Sequence, residues 1–276
     1  MQIKNFPVNS QKPYVVFENN DKIEELEPFM KENKLSRVIF SGFLGYSKSV
    51  LPFNNDIDLI EEISLQCSNI TDLTPLYHLS NIKKISIEEN EALTHPFDIR
   101  KIAQLTDFFT DDTLKIDGFF DHPTLKQLHI EPKKTKKLDI HNENNILESL
   151  SIANSHILDL SNCKKLTQLK GLYIAYLPKI EDINFILDMP TLTDIEICSC
   201  KKIDNLIATL AQKNNLEKLT LWNQGNLDSI IPLSKLEHLT TLNIWEQTKI
   251  IDGKISFLEE MPNLKKIDIR KYTHYH

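Results

Sequence analysis

The segment that decides the fold runs from Ile60 to Leu79 and reads IEEISLQCSNITDLTPLYHL. It opens with apolar side chains at Ile60, Ile63 and Leu65, in the spacing apolar-x-x-apolar-x-apolar. Four more apolar residues then follow at every third position: Ile70, Leu73, Leu76 and Leu79. The alternation at the start predicts a short strand, and the later spacing predicts a turn and a return segment.

The opening pattern of this segment recurs along most of the chain, with successive centres about 23 residues apart. The other clear copies are centred on Val38, Ile85, Leu128, Leu150, Leu172, Ile195, Leu219, Leu242 and Ile267. One degenerate copy is expected at Ile102–Leu105. Such a period predicts a solenoid, because one copy can bury its apolar side chains only against its neighbours.

With this many copies, the chain resembles leucine-rich repeat proteins, and in particular the bacterial internalin-like class. The resemblance covers residues 35–270 and implies an α/β fold: a curved horseshoe whose concave face is a parallel sheet of about 11 strands. Two features depart from the family pattern. Residues 88–124 fit it loosely, which leaves their geometry open, and the asparagine of the repeat ladder is replaced by other residues, namely Ser68, Ser155, Leu177, Cys200 and Gln224.

Both ends of a solenoid need polar caps, because the last repeats have no further neighbour. Residues 1–34 are predicted to form an N-terminal α/β cap, with a strand at Tyr14–Phe17 and a helix for which Asp21 is the N-cap. Residues 35–270 are predicted to be the solenoid, and residues 271–276 a ragged polar tail.

Composition excludes several classes of function. The chain has 276 residues, of which 41% are hydrophobic, and a formal net charge of −7. An acidic chain is a poor match for nucleic acid or an anionic membrane, since both attract basic surfaces. No window is apolar for long enough to span a bilayer, and Met1–Pro13 lacks the pattern of a secretory signal. A cytoplasmic location is therefore expected.

Catalytic and metal-binding motifs are also missing from the sequence. Cys198 and Cys200 are the one close cysteine pair, and no second pair lies at zinc-ligand spacing. His129 and Glu131 could form an acid–base pair on the sheet, although such isolated surface pairs are common. We expect no enzyme activity, no catalytic residues, no metal and no cofactor.

The predicted concave face carries the most informative side chains. Trp222 and Trp245, the two tryptophans of the chain, fall in the same exposed register of neighbouring repeats. Aromatic anchors beside charged residues are typical of protein-binding hot spots. The candidate partner-binding residues are Tyr173, Tyr176, Asp194, Glu196, Trp222, Trp245, Asp268 and Arg270. The alternative is that cap packing or strand-end turns bury these rings.

These observations favour a non-enzymatic module that binds a protein partner on its concave face, chiefly toward the C-terminal half. Small acidic bacterial leucine-rich repeat proteins of this kind resemble immunity proteins, which implies inhibition of a cognate toxin with a basic surface. Two alternatives remain open: an intracellular scaffold or regulatory subunit, and a host-directed effector that acts by binding. The identity of the partner and the oligomeric state cannot be read from the sequence.

Overall fold

A computed structural model describes residues 1–5, 13–141 and 146–276. The chain divides into two compact units, unit 1 at Met1–Glu131 and unit 2 at Pro132–His276. Within the described ranges, no helix has the length and apolar character needed to cross a bilayer. The predicted boundaries at residues 34 and 270 stay predictions.

Unit 1 is a sheet of short strands joined by turns and 3₁₀ helices. Its strands are β1 (Gln2–Asn5), β2 (Pro13–Val16), β3 (Arg37–Ser41), β4 (Glu62–Gln66), β5 (Lys84–Glu88), β6 (Phe97–Asp98), β7 (Asp107–Thr110), β8 (Ile116–Asp117) and β9 (Gln127–Ile130). The main sheet has the order β1-β2-β3-β4-β5-β7-β9, and all neighbours are parallel except β1 and β2. The helix α1 spans Leu26–Asn33. The 3₁₀ helices span Ile23–Glu25, Gly42–Leu44, Thr74–His78, Asn90–Ala92 and Ile99–Lys101.

Unit 2 repeats the same plan more regularly. Its strands are β10 (Ser149–Ala153), β11 (Gly171–Ala175), β12 (Asp194–Cys198), β13 (Lys218–Trp222), β14 (Asn226–Leu227), β15 (Thr241–Trp245), β16 (Lys249–Ile250) and β17 (Lys266–Ile269). The main sheet is parallel throughout, in the order β10-β11-β12-β13-β15-β17. The return segments hold the short helix α2 (Leu206–Leu210) and 3₁₀ helices at Ser161–Lys165, Asn184–Asp188, Ile231–Lys235 and Ser256–Glu260.

The apolar positions of the repeat form the core, as predicted, except in the last copy, where Ile267 is 43% exposed and Leu264 and Ile269 are half-buried. In β11, for example, Leu172 and Ile174 are buried. Gly171 and Tyr173, which alternate with them along the strand, are half-buried on the other face. Each clear copy of the pattern coincides with one strand of a main sheet, and β1 and β2 add two further strands in unit 1. The predicted repeat solenoid is confirmed.

The prediction for the degenerate copy was wrong by three residues. The strand is β7, and its centre is Phe108, not Leu105. The pattern was hidden because Thr110 occupies an apolar position. It is fully buried, and its hydroxyl donates to the carbonyl of Asp112 (2.7 Å), so the polar atom is satisfied inside the core.

In residues 88–124, β6 and β8 pair with each other in a separate two-stranded sheet.

The ladder position was also misassigned in one copy. Ser155, Leu177, Cys200 and Gln224 are buried as expected, but Ser68 is exposed and Cys67 is buried in its place. In the four regular copies, a residue with positive φ precedes the ladder residue: Asn154, Tyr176, Ser199 and Asn223. No such residue is present near Cys67, so the buried position comes one residue earlier.

Asp21 does not cap a helix, contrary to the sequence prediction. Its carboxylate accepts a hydrogen bond from the backbone N–H of Glu18 (2.8 Å), which closes the turn after β2. The α1 helix begins only at Leu26, after a 3₁₀ turn, so Pro28 lies in its first turn, where a missing N–H costs nothing.

The last six residues pack against the preceding return segment and are not ragged. The carbonyl of His276 accepts hydrogen bonds from the N–H groups of Ile255 (2.9 Å) and Ser256 (3.1 Å). The Tyr275 hydroxyl accepts a hydrogen bond from the N–H of Ile250 (2.8 Å). Gly253 makes this approach possible, because a Cβ at that position would lie 2.3 Å from the carbonyl oxygen of His274.

Replacing Gly253 by Ala is therefore expected to lower the free energy of unfolding by about 1–3 kcal/mol, because the tail must move away. Urea denaturation measures the loss, and faster hydrogen exchange at the Ile250 amide reports the released tail. Gly225→Ala is the matched control, since Gly225 also has positive φ but a Cβ there meets nothing within 4 Å. Equal losses in the two variants would show that backbone strain, not the tail contact, is the cause.

Candidate functional site

Six of the eight candidate residues lie on the open face of the unit 2 sheet, which is the face opposite the core; Tyr176 and Arg270 follow the ends of β11 and β17. Because the strands are parallel and in register, side chains of this face align in rows across the strands. The first row is Ser149, Gly171, Asp194, Lys218, Thr241 and Lys266; the middle row is Ser151, Tyr173, Glu196, Thr220, Asn243 and Asp268; the end row is Ala153, Ala175, Cys198, Trp222 and Trp245.

The two tryptophans are direct cross-strand neighbours in the end row. Their ring centroids lie 6.1 Å apart with an interplanar angle of 83°, an edge-to-face contact of the kind that aromatic quadrupoles favour. Both rings are half-buried and not fully exposed, which is a partial correction of the sequence prediction. Each ring covers part of the other, so the pair is fixed before any partner binds.

Tyr173 and Trp222 rest on a base of small residues, and Trp245 contacts the Trp222 ring. Ala153, Ala175 and Cys198 occupy the end row of three adjacent strands, and Tyr173 and Trp222 pack against them. Burial, followed by the nearby Cys198, Glu196 and Tyr176 side chains, raises the pKa of Tyr173 to about 12. The phenol is therefore neutral at physiological pH. We call Tyr173, Trp222 and Trp245 the aromatic platform.

Tyr176 follows the end of β11 and has a left-handed backbone conformation (φ +53°). Its N–H donates to the carbonyl of Cys198 on the next strand (2.9 Å), which fixes the turn. The side chain is 52% exposed. A left-handed conformation costs a non-glycine residue about 1 kcal/mol, and an exposed aromatic ring recovers little of that cost. The other regular copies have Asn154, Ser199 and Asn223 at this left-handed position, so the repeat imposes the conformation, and the large exposed ring is particular to this copy.

Replacing Tyr176 by Asn is expected to raise the free energy of unfolding by up to about 1 kcal/mol, because Asn tolerates positive φ better than Tyr. The same change is expected to weaken partner binding, which urea denaturation and a binding titration would show together. Tyr176→Phe keeps the ring and the strain and loses only the contacts of the hydroxyl with Cys198 and Ser199, so it should change both quantities much less. A Tyr176→Asn variant that is less stable than the wild type would show that the ring contributes to folding.

The two acidic residues of β12 differ in their surroundings. Asp194 pairs with Lys218 at 3.3 Å, and both side chains are about half exposed. Glu196 is half-buried, and within the described part of the chain its carboxylate forms no hydrogen bond and no ion pair. Burial, together with the charge of Asp194, raises the pKa of Glu196. Glu196 is thus a partly desolvated anion beside the platform.

The remaining two candidates lie apart from the platform. Asp268 is exposed on β17, next to Asn243 in the middle row. Arg270 follows the end of β17; its guanidinium approaches the Glu246 carbonyl (3.4 Å) and lies 5.8 Å from the ring centroid of Tyr272. The structure thus brings together Tyr173, Tyr176, Glu196, Trp222 and Trp245, with Asp194 at one side, and leaves Arg270 near the tail.

Sequence reasoning missed Asn243, which lies on the same face. It is buried; its Nδ2 donates to the Thr220 hydroxyl (3.0 Å), and its Oδ1 has no hydrogen-bond partner among the described residues. It also missed Ala153, Ala175 and Cys198 as the base of the platform. The small size of the end-row residues next to Trp222 was the available signal.

The open face of unit 1 carries an internal ion pair. The Arg37 guanidinium donates to the Glu62 carboxylate from Nε (2.6 Å) and from Nη2 (2.9 Å), and Nη2 also donates to the Tyr14 hydroxyl (2.8 Å). It lies 3.9 Å from the centroid of the Tyr14 ring. Burial tends to raise the pKa of Glu62, but the hydrogen bonds from Arg37 and Tyr14 outweigh it and hold that pKa below its usual value.

The residues considered from the sequence for acid–base catalysis and for metal binding, His129 with Glu131 and the cysteines, have surroundings that favour neither role. The His129 ring stacks on Phe109 with centroids 4.3 Å apart, and its Nε2 lies 3.8 Å from Glu131. Burial lowers the pKa of His129 despite that carboxylate. The four cysteines are free and buried, and burial raises the pKa of Cys67 and Cys200 to about 11. Across the described ranges, no three His, Cys, Asp or Glu side chains are grouped to hold a metal ion.

Comparison with solved structures identifies the fold. An internalin (inlF) of Listeria monocytogenes is 15% identical, with a TM-score of 0.54, covering 95% of this chain and 83% of that one. A leucine-rich repeat protein of Leptospira interrogans is 12% identical with a TM-score of 0.54, and the match covers 92% of this chain and 65% of that one. The functional domain of InlJ from Listeria monocytogenes, which includes a cysteine ladder, is 16% identical with a TM-score of 0.50. The match covers 84% of this chain and 57% of that one. No family model and no curated protein matches. The chain has the α/β leucine-rich repeat solenoid fold, similar to that of internalins.

Proposed function

We propose that this chain is a non-enzymatic protein-binding module and that the open face of the unit 2 sheet is its contact surface. The observation that carries the proposal is the aromatic platform, in which Tyr173 and Trp222 pack on a base of small residues and Trp245 packs on Trp222. Beside it lies the carboxylate of Glu196, which has no ion-pair partner among the described residues. Rigid aromatic side chains contribute most of the binding energy at protein interfaces, since little side-chain entropy is lost when they are covered.

The shape of the surface supports a macromolecular partner over a small ligand. The platform and its flanking rows extend over several strands of an open sheet face. Small-molecule sites are instead clefts or cavities that enclose most of the ligand. A groove lined by Asp182, Asn184, Asp204 and Thr209 does exist in unit 2, but it lies among the return segments and is lined mainly by polar side chains. Repeat proteins commonly use their extended sheet for partner binding.

Charge supports a partner with a basic surface. The chain carries a net charge of −7, and the open face of unit 2 has three carboxylates, at Asp194, Glu196 and Asp268, against two lysines, Lys218 and Lys266. Lys218 pairs with Asp194, so the excess negative charge lies at Glu196 beside the platform. Complementary charge would speed association and disfavour acidic competitors. Neutralisation of a basic toxin by covering its active site is one role that uses such a surface, and recruitment by an intracellular scaffold is the alternative; the charge favours the first.

The experiment labels the protein with 5-fluorotryptophan, captures a partner from the lysate of the source organism, and titrates the labelled protein with it. Because the chain has two tryptophans and both lie on the open face, two fluorine signals report on this surface alone. Both signals are expected to shift or broaden in proportion to the bound fraction. A partner that saturates binding and leaves both signals unchanged would place the contact surface elsewhere.

A further inference from the structure

Unit 1 shows how this protein holds an arginine on its open face. The Arg37 guanidinium is fixed by two partners at once, the ring of Tyr14 at 3.9 Å and the carboxylate of Glu62 through two hydrogen bonds. The three residues come from three consecutive strands of the sheet, β2, β3 and β4. The arginine itself stands on the strand between the tyrosine and the glutamate, and the two side chains together orient its guanidinium.

Unit 2 presents the same two recognition groups, and no cation among its described residues pairs with the glutamate. Tyr173 and Glu196 are direct cross-strand neighbours in the middle row, so their Cα atoms are separated by about 5 Å, the spacing of adjacent strands. Trp222 lies on the following strand, diagonally across from Glu196, and packs over the same base of small residues as Tyr173. Lys218, also on β13, pairs with Asp194.

A partner that covers this face must compensate the charge of Glu196. Covering a half-buried carboxylate with an apolar or acidic surface would remove its remaining water without replacing the lost hydrogen bonds, which is unfavourable. Arginine suits the position better than lysine, because a planar guanidinium can stack on an aromatic ring and donate two parallel hydrogen bonds to one carboxylate. Lysine offers a compact charge without that geometry.

We propose that Tyr173, Glu196 and Trp222 form the subsite for one arginine side chain of the protein partner. This inference rests on the proposed function of the open face. The guanidinium donates to the Glu196 carboxylate and lies against the rings of Tyr173 and Trp222. The subsite gives the surface selectivity for a partner with an arginine at the centre of its contact patch.

The test uses blocked arginine, Nα-acetyl-arginine-N-methylamide, as the probe and the ¹⁵N-labelled 276-residue chain as the protein. The two tryptophans give two indole N–H signals, and Trp245→Phe assigns them. Arginine is expected to move the Trp222 signal saturably, with a Kd of about 10 mM, typical of one isolated side chain. The neutral isostere, blocked citrulline, should leave the signal in place, and blocked lysine should bind several times more weakly.

Glu196→Gln is expected to weaken arginine binding by about fivefold or more. The variant should melt no lower than the wild type, because it removes an unpaired, partly desolvated charge. Glu237→Gln is the matched control, an exposed carboxylate in a return segment, and should bind as the wild type does. No movement of the Trp222 signal, equal binding of citrulline or lysine, or wild-type affinity in Glu196→Gln would overturn the proposal.

Failure of the subsite and failure of the proposed function give different results. A captured partner that perturbs both fluorotryptophan signals, yet binds Glu196→Gln as tightly as the wild type, would keep the contact surface and reject the arginine subsite. A partner that leaves the fluorotryptophan signals unchanged would reject the contact surface, whatever the arginine titration shows.

Discussion

Replacing Trp222 and Trp245 together by Ala is expected to weaken partner binding by about 100-fold or more. Tryptophans at the centre of an interface commonly contribute 2 kcal/mol or more each on truncation, about 30-fold in affinity. The two rings touch, so their contributions should couple, and the double variant should lose less than the product of the single losses. Calorimetric titration of the two single variants and the double variant with the captured partner measures both quantities.

Phe43→Ala is the matched control for this series. Phe43 is 85% exposed and lies in unit 1, so its removal changes exposed aromatic surface without touching the platform. Its affinity for the partner should equal that of the wild type. All variants should first show wild-type melting behaviour within a few degrees, since the tryptophan rings are half-buried and their loss costs some packing. Wild-type affinity in the double variant, or a large loss in Phe43→Ala, would contradict the proposed surface.

Replacing Arg37 by Met is expected to lower the free energy of unfolding by about 3–5 kcal/mol at neutral pH, the largest stability effect we foresee for a polar residue of this chain. The side chains of Arg37 and Glu62 are only 14% and 15% exposed. Without the guanidinium, the Glu62 carboxylate stays buried without its main partner, and Tyr14 loses a donor. Urea denaturation measures the loss.

The pH dependence of the stability loss shows whether the charge of Glu62, left without Arg37, or lost packing is its cause. In the wild type the folded pKa of Glu62 is lowered, so its contribution is present above the unfolded pKa and is lost as pH falls through the folded value. In Arg37→Met, burial dominates and the folded pKa of Glu62 should be raised instead. The variant should therefore lose less stability, relative to the wild type, at about pH 4 than at neutral pH.

Two companion variants complete the series. Arg37→Met/Glu62→Leu replaces both charges by apolar groups and should recover most of the loss. Arg100→Met removes an arginine from a more exposed pair with Asp98, whose side chain is 30% exposed, and should cost far less stability than Arg37→Met. Equal losses in Arg37→Met and Arg100→Met would show that burial of the Arg37–Glu62 pair has no energetic consequence.

Much of the candidate site followed from the sequence, because its register follows from the repeat. Once the apolar positions of β13 and β15 are assigned, Trp222 and Trp245 must lie on the same face of neighbouring strands. The contacts around them did not follow. Nothing in the local sequence shows that Glu196 lacks a cation partner among the described residues or that Tyr176 adopts positive φ. Both depend on side-chain and turn geometry between residues more than 20 positions apart.

The sequence by itself determined the repeat, its period, the core positions and the open face of each strand. It could do so because the same apolar spacing recurs in every copy, so that one irregular copy does not obscure the pattern. The tertiary structure alone decided where the pattern is broken: Thr110 replaces an apolar residue by satisfying its hydroxyl in the core, and Cys67 replaces Ser68 where the turn is one residue shorter. It also decided that Arg37 joins Tyr14 to Glu62, because partners on different strands are chosen by side-chain reach across the sheet and not by local spacing.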